Sequence, residues 1–171
     1  EEVYKTLNQM KQKGLVEKIG VSVYQISEIE AIHSRYKLDL VQLPFSIFDQ
    51  SFLRTGWLKI LSKSSVEIHV RSIFLQGLLL TKLKNRPEKF KNWETAFSLY
   101  EAWLKENKIS SLEACIRTVR SIQQIDCLVV GVEDATQLEQ IFYYYCKAPI
   151  NMPDPFFDYD EKLLNPSKWK K

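Results

Sequence analysis

Polar side chains occur near the ends of several short apolar segments, which is where parallel strands carry the residues that meet a ligand. The most prominent are Ser22, Gln42 and Arg71. A serine hydroxyl and a glutamine amide each offer a hydrogen-bond donor and an acceptor, and arginine adds a planar cation that stacks on rings or pairs with anions. Gln42 lies in an otherwise apolar segment, where an amide without a partner would be unfavourable. These residue types suit a small polar ligand, although Ser22 could instead bond to backbone and Arg71 could pair with a neighbouring acid.

Other kinds of reactive site find no support in the sequence. The segment Gly20-Val21-Ser22-Val23 lacks the final glycine of a G-x-S-x-G nucleophile elbow, and the five glycines form neither a P-loop nor a G-x-G-x-x-G motif. The three cysteines are odd in number and lack metal-ligand spacing, which predicts reduced thiols in a cytoplasmic protein and no metal site. His69 lies beside a strand end, but without a nucleophile nearby a structural role is favoured.

Short apolar strands separated by amphipathic helices would position these residues. The predicted strands are residues 18–23, 38–43, 66–71 and 127–131. Apolar strands that alternate with helices are typical of a parallel sheet buried on both faces, so the predicted fold class is α/β. Periodicity alone does not distinguish an open doubly wound sheet from part of a barrel.

Three capping patterns predict helix starts, at Ser27 with Glu30, at Ser110 with Glu113 and at Asp134 with Gln137. Residues 72–91 have no clear period, and loops of that length are often functional. The tail from Pro149 holds four of the six prolines and is predicted to cross the surface without regular structure.

Composition limits the class of protein. The 171 residues are 45% hydrophobic and 26% charged, as in a soluble globular domain. The net charge is +3, and the one basic cluster, residues 168–171, is expected to be a solubilising tail, so no nucleic-acid partner is expected. No apolar stretch reaches the roughly 18 residues of a membrane helix, so no membrane partner is expected. The chain opens within a helical pattern and without Met, which suggests that it begins inside a larger protein.

Four segments, taken in order, resemble the second half of the aldo-keto reductases. They are Lys18-Ile19-Gly20-Val21-Ser22, Asp39-Leu40-Val41-Gln42-Leu43, Val70-Arg71-Ser72-Ile73-Phe74-Leu75-Gln76-Gly77, and Val130-Gly131-Val132 with Gln137-Leu138-Glu139. The resemblance implies the C-terminal half of a (β/α)8 TIM barrel, strands five to eight, as a single partial domain over residues 1–171 with a tail at 149–171. A complete barrel needs about 250 residues. The family's catalytic tyrosine, lysine, aspartate and histidine would lie outside this chain, so no residue here is assigned a catalytic role.

The same resemblance implies a nicotinamide-cofactor site at the strand ends. Ser22 and Gln42 would hydrogen-bond the nicotinamide carboxamide, and Arg71 stands where the family has an aromatic side chain that stacks on the ring. The implied cofactor-binding residues are Ser22, Gln42, Arg71, Ser72, Phe74, Gly131 and Glu133. Glu133 stands where phosphate-binding relatives carry Ser and basic groups. A carboxylate repels a 2′-phosphate and accepts a hydrogen bond from a ribose 2′-hydroxyl, so Glu133 favours NAD over NADP.

Two functions remain open. In the first, the chain is the cofactor-binding part of an NAD(P)H-dependent oxidoreductase that acts on a carbonyl or sugar-type substrate, and it is inactive by itself. In the second, it is a non-catalytic binding or regulatory module that self-associates through the open edges of the half-barrel. Val23, Arg71 and Ile141 favour the second, because each replaces a residue with which the family contacts its cofactor.

Overall fold

Four parallel strands form one sheet in the computed structural model, which describes residues 1–158 and 160–169. In spatial order, which is also chain order, they are β1 (Gly20–Ser22), β2 (Leu40–Pro44), β3 (Glu67–Arg71) and β4 (Cys127–Leu128). Every neighbouring pair is parallel. A doubly wound sheet would reverse its strand order at a switch point, and this order has no reversal. The predicted α/β fold, with four parallel strands alternating with helices, is therefore confirmed.

The described residues also contain eight α-helices. They are α1 (Glu2–Gln12), α2 (Ile26–His33), α3 (Ser51–Arg54), α4 (Trp57–Lys63), α5 (Glu94–Glu106), α6 (Ser111–Val119), α7 (Ala135–Cys146) and α8 (Glu161–Leu164). The strands are shorter than predicted, and β1 and β4 each lose three residues. Beyond β4, the Val129 amide still donates to the Val70 carbonyl at 2.7 Å.

Two of the three predicted helix starts are confirmed. The Ser110 hydroxyl accepts from the Glu113 amide at 3.1 Å, and the Asp134 carboxylate accepts from the Gln137 amide at 2.8 Å. The start predicted at Ser27 was wrong, because α2 begins at Ile26 after an N-cap at Gln25. There the Glu28 carboxylate accepts from the Gln25 amide at 3.0 Å. Glutamine is not among the side chains that favour an N-cap, so the pattern gave no reason to choose it.

Side chains alternate between the two faces of the sheet, as strand geometry requires. Val41, Leu43, Ile68 and Val70 are fully buried on the face that packs against the helices. The residues between them point the other way and remain half-buried or exposed. This second side is called the open face, and it carries Gly20, Ser22, Leu40, Gln42, Glu67, His69, Arg71 and Cys127. Polar groups dominate it, so it is the side on which a polar ligand could meet the sheet.

A second apolar core, built mainly from segments that follow the strands, includes Phe48, Leu79, Phe97 and Leu163. Residues 72–91 enter it through short 3-10 turns at Leu78–Leu80, Leu83–Asn85 and Glu88–Trp93. The lack of a clear period in this segment reflects a series of short turns rather than an unstructured loop.

The prediction that the tail lacks regular structure was wrong. It contains α8 and a 3-10 turn at Pro166–Lys168, and Leu163 is fully buried. The Trp93 indole donates to the Asp160 carboxylate at 3.0 Å, which ties the tail to the start of α5. Apolar residues between the prolines bury enough surface to fix the segment. Lys170 and Lys171 of the predicted basic cluster lie outside the described residues.

Across residues 1–158 and 160–169, no helix has the length and apolar character needed to cross a bilayer. The same residues hold no cluster of His, Cys, Asp and Glu side chains able to bind a metal ion. All three cysteines are free; Cys115 is buried, Cys127 partly buried and Cys146 exposed.

Candidate functional site

Ser22 and Gln42 lie side by side where β1 and β2 approach their carboxyl ends. They are register partners, and the Ser22 hydroxyl donates to the Gln42 side-chain carbonyl at 3.2 Å. Directly beyond them, the Val23 amide donates to the Gln42 backbone carbonyl at 2.9 Å, which fixes the two strands relative to each other. The side-chain nitrogen of Gln42 has no partner among the described residues. The pair therefore presents a free amide donor and a hydroxyl oxygen toward the open face, a set that matches a carboxamide.

Arg71 ends β3 and is held by neutral groups. Its Nη2 donates to the Val23 carbonyl at 3.0 Å, and its guanidinium carbon lies 4.2 Å from the centroid of the Tyr24 ring. Nη1 lies 3.5 Å from the Ser72 hydroxyl, at the limit of a hydrogen bond. The ion pair with an acid that the sequence left open is not formed with any described residue. Tyr24, which no sequence pattern singled out, is therefore part of this site.

The loop after β3 has an unusual backbone. Ser72, Leu75 and Gln76 have φ of 64°, 48° and 54°, in the left-handed region that residues with a side chain seldom adopt. Leu75 is nonetheless fully buried, and its amide donates to the Ser72 carbonyl at 2.8 Å. Packing therefore holds the strained turn in place. Strain of this kind, of about 1–3 kcal/mol per residue, is concentrated at ligand-binding sites in proteins.

A cleft of about 680 Å³ separates this loop from the segment that follows β4 and from α7. Four of the seven implied cofactor-binding residues line it, and they are Ser72, Phe74, Gly131 and Glu133. The other three, Ser22, Gln42 and Arg71, lie at the adjoining strand ends, and Arg71 directly precedes Ser72. A volume in this range is typical of small-molecule sites. The structure thus brings the seven residues into two adjacent groups.

Similarity to known proteins agrees with this geometry. The model of the Aldo/keto reductase family matches residues 1–152. This chain belongs to the aldo-keto reductase family. No curated protein sequence is similar enough to count as a relative.

Solved structures with the same fold are aldo-keto reductases of low sequence identity. The apo form of AKR11C1 from Bacillus halodurans has a TM-score of 0.71 at 16% identity, over 88% of this chain and 52% of that one. Its holo form has a TM-score of 0.67 at 16% identity, over 86% and 51%. The glycerol dehydrogenase AKR11B4 from Gluconobacter oxydans has a TM-score of 0.54 at 16% identity, over 86% and 55%. The chain thus spans about half the length of these structures.

The side chains that line the cleft have a net negative charge. No lysine or arginine is among the residues that line it, and Glu133 contributes a carboxylate. The Glu133 amide donates to the Gln137 side chain at 3.2 Å, and Asp134 caps the first turn of α7. A basic side chain, Arg71, lies next to the cleft, with its Nη1 3.5 Å from the hydroxyl of the lining residue Ser72.

Sequence reasoning missed a charged cluster on the open face, which lies toward the amino-terminal end of β3. Glu67 accepts from Lys18 and lies 2.6 Å from His69 Nε2. Lys18 above all, and then His69, holds the pKa of Glu67 below its ordinary value. Glu67 and His69 alternate with buried residues on one strand, and that spacing was the signal that could have placed them on the open face. His69 Nε2 thus has a carboxylate partner within this cluster.

Proposed function

We propose that this chain is the cofactor-binding half of an NAD(P)H-dependent aldo-keto reductase acting on a carbonyl or sugar-type substrate. The observation that carries the proposal is the Ser22–Gln42 pair, with its 3.2 Å hydrogen bond, beside the cleft that begins at Ser72. A bound nicotinamide would supply the hydride. Ser22 and Gln42 would hold its carboxamide and so fix which face of the ring is presented to the substrate.

The residues of the cleft suit the rest of such a cofactor in different ways. Phe74 packs against both apolar cores and offers a ring to the cleft. Gly131 has open space where a Cβ would stand, so a ligand can approach its backbone closely. Glu133 would accept from a ribose hydroxyl and would repel a 2′-phosphate, which favours NADH over NADPH.

The chain by itself is expected to bind cofactor weakly and to catalyse no turnover, because its residues include no assigned proton donor. Fluorescence titration with NADH and NADPH tests this. We expect Gln42→Leu to weaken NADH binding about tenfold, because one amide hydrogen-bonding partner is lost. Gln9→Leu, at an exposed position of α1, is the matched control and should leave the affinity unchanged. Sub-micromolar binding together with reductase activity would contradict the assignment of catalysis to residues outside the chain.

The choice between the two cofactors has its own test. Glu133→Lys should raise the affinity for NADPH more than that for NADH, because the carboxylate is replaced by a cation. Glu139→Lys makes the same charge change at an exposed site on α7, outside the cleft lining, and should alter the NADPH-to-NADH ratio less. Equal effects of the two variants would remove Glu133 from the site.

A second candidate function is a self-associating module without catalysis, and the surface of α7 favours it. Leu138, Phe142 and Tyr145 follow one another at helical spacing and are 51%, 65% and 40% exposed. They belong to the helix that follows β4 in the chain, and β4 has a single partner strand among the described residues. Such an apolar stripe suits a second copy of the chain. Light scattering after size exclusion should then give a dimer, and Phe142→Asp should give a monomer; a monomeric wild-type chain would exclude this function.

A further inference from the structure

Arg71 lies on the open face immediately beyond the Ser22–Gln42 pair. Gln42 is the register partner of His69, and Arg71 follows His69 by two residues on the same face. Two residues along a strand correspond to about 6.6 Å. Consider a flat ring that extends toward the carboxyl ends of the strands and has its carboxamide bound by Gln42. Such a ring would lie beside the Arg71 guanidinium.

The guanidinium is fixed in a way that leaves it able to stack. Tyr24 lies on one side of it, with the guanidinium carbon over the Tyr24 ring at 4.2 Å from the ring centroid. Its hydrogen bonds, to Val23 and more weakly to Ser72, are made by nitrogens at its edge. Arg71 is only half-buried, and no described residue other than Tyr24 stacks on it. A planar ligand could therefore lie against the opposite face.

The charge of Arg71 is also not cancelled locally, because no described carboxylate lies within ion-pair distance of it. The negative ring face of Tyr24 attracts the cation but carries no net charge. A full positive charge thus faces any ring that occupies this position.

We propose that Arg71 makes this site selective for the reduced form of the nicotinamide cofactor. The inference rests on the proposed function, since it requires the ring to be held by Ser22 and Gln42. The reduced ring is neutral, whereas the oxidised ring carries a positive charge. Arg71 can stack on both, but it repels only the oxidised one.

The expected size of this selectivity follows from the exposure of the site. Two unit charges about 4 Å apart interact weakly in bulk water and several-fold more strongly at a protein surface. Because Arg71 is half-buried, we expect NADH to bind about tenfold more tightly than NAD⁺. Arg71→Gln keeps a planar end and removes the charge, so the ratio should fall towards one, mainly through tighter binding of NAD⁺.

The experiment measures the dissociation constants of NADH and NAD⁺ for the 171-residue chain at one fixed ionic strength, with NAD⁺ measured by competition against NADH fluorescence. Arg35→Gln is the matched control, because Arg35 is an exposed arginine just after α2, it has no ion pair among the described residues, and it shares no cavity with the proposed site. It should preserve the wild-type ratio. Arg71→Lys keeps the charge and should preserve the preference for NADH.

Each result has a definite meaning. A wild-type ratio near one overturns the inference whatever the variants do, and it leaves the proposed function intact. An equal loss of NADH and NAD⁺ affinity in Arg71→Gln also overturns it, and points to an Arg71 contact with the cofactor phosphates. If neither form binds, the proposed function fails and the inference fails with it.

Discussion

Asp39 offers a quantitative test of how the site is positioned, because its carboxylate joins the start of β2 to β1 and α1. Lys11 Nζ lies 2.6 Å from each carboxylate oxygen, and the Ile19 amide donates to one of them at 2.9 Å. The Asp39 side chain is 22% exposed, so these contacts are only partly screened by solvent. The interactions hold β1 in the register that sets Ser22 opposite Gln42.

The expected magnitudes follow from what each substitution removes. Asp39→Asn still accepts from Ile19 but loses the ion pair, whose Lys11 partner is 38% exposed, so the cost in unfolding free energy should be about 1 kcal/mol. Asp39→Ala also leaves the Ile19 amide without its carboxylate acceptor, and the total cost should be roughly 2–3 kcal/mol.

The same residue predicts a pH dependence. Lys11 first, and then the Ile19 amide, lowers the pKa of Asp39 below its ordinary value of 3.8. A carboxyl whose pKa falls on folding stabilises the protein fully above its unfolded pKa and loses this contribution as pH falls through the folded pKa. The stability difference between wild type and Asp39→Asn should therefore be constant near pH 7 and shrink below about pH 4.

Urea unfolding followed by tryptophan fluorescence, at several pH values, measures these differences. A Lys11→Met and Asp39→Asn double-mutant cycle isolates the pair, and its coupling energy should be about 0.5–1 kcal/mol. A difference between wild type and Asp39→Asn that stays unchanged down to pH 3 would refute the reasoning, as would zero coupling in the cycle.

Three further predictions concern the rest of the fold. Leu163→Ala should lower the unfolding free energy by roughly 2–4 kcal/mol in urea titrations, because Leu163 is fully buried in the second core. A change below about 0.5 kcal/mol would show that the tail is not part of the second core. Gly20→Ala should strongly reduce the fraction of folded protein measured by circular dichroism, because the new Cβ would lie 2.0 Å from the Leu40 carbonyl oxygen. In the control variant Gly131→Ala the new Cβ has no atom within 4 Å, so this variant should fold normally. A thiol reagent at pH 8 should modify the exposed Cys146 quickly and leave Cys115 unmodified until the chain unfolds, because burial raises the pKa of Cys115 to about 12. Rapid modification of Cys115 in the folded protein would be inconsistent with this core.

The two central strands were predicted well because their apolar residues, Val41, Leu43, Ile68 and Val70, form part of the main core. Leu40–Pro44 and Glu67–Arg71 were placed to within two residues, and the helix starts at Ser111 and Ala135 followed from side-chain caps of favoured types. The cap at Gln25 and the ordered tail were missed for a common reason. Their local patterns are weak, and contacts distant in sequence, such as the one from Asp160 to Trp93, fix them.

The candidate site was predictable as a set of residue types but not as a set of contacts. Strand ends pointed to Ser22, Gln42 and Arg71, yet the register that joins Ser22 to Gln42 depends on strand pairing that one sequence does not specify. Tyr24 carried no signal because its role comes from a side chain 47 residues away in the chain, counted from Tyr24 to Arg71. The contact of Lys18 with Glu67 likewise forms only when β1 and β3 pair with the two sides of β2.

The most direct test of the central claim is an NMR titration of the isotopically labelled chain with NADH. We expect the largest shifts at the Gln42 side-chain amide, at Ser22 and at residues of the cleft such as Gly131, with the Gln42 shifts abolished in Gln42→Leu. Shifts confined to other surfaces, or no shifts at millimolar NADH, would contradict the placement of a nicotinamide site at the ends of β1 and β2.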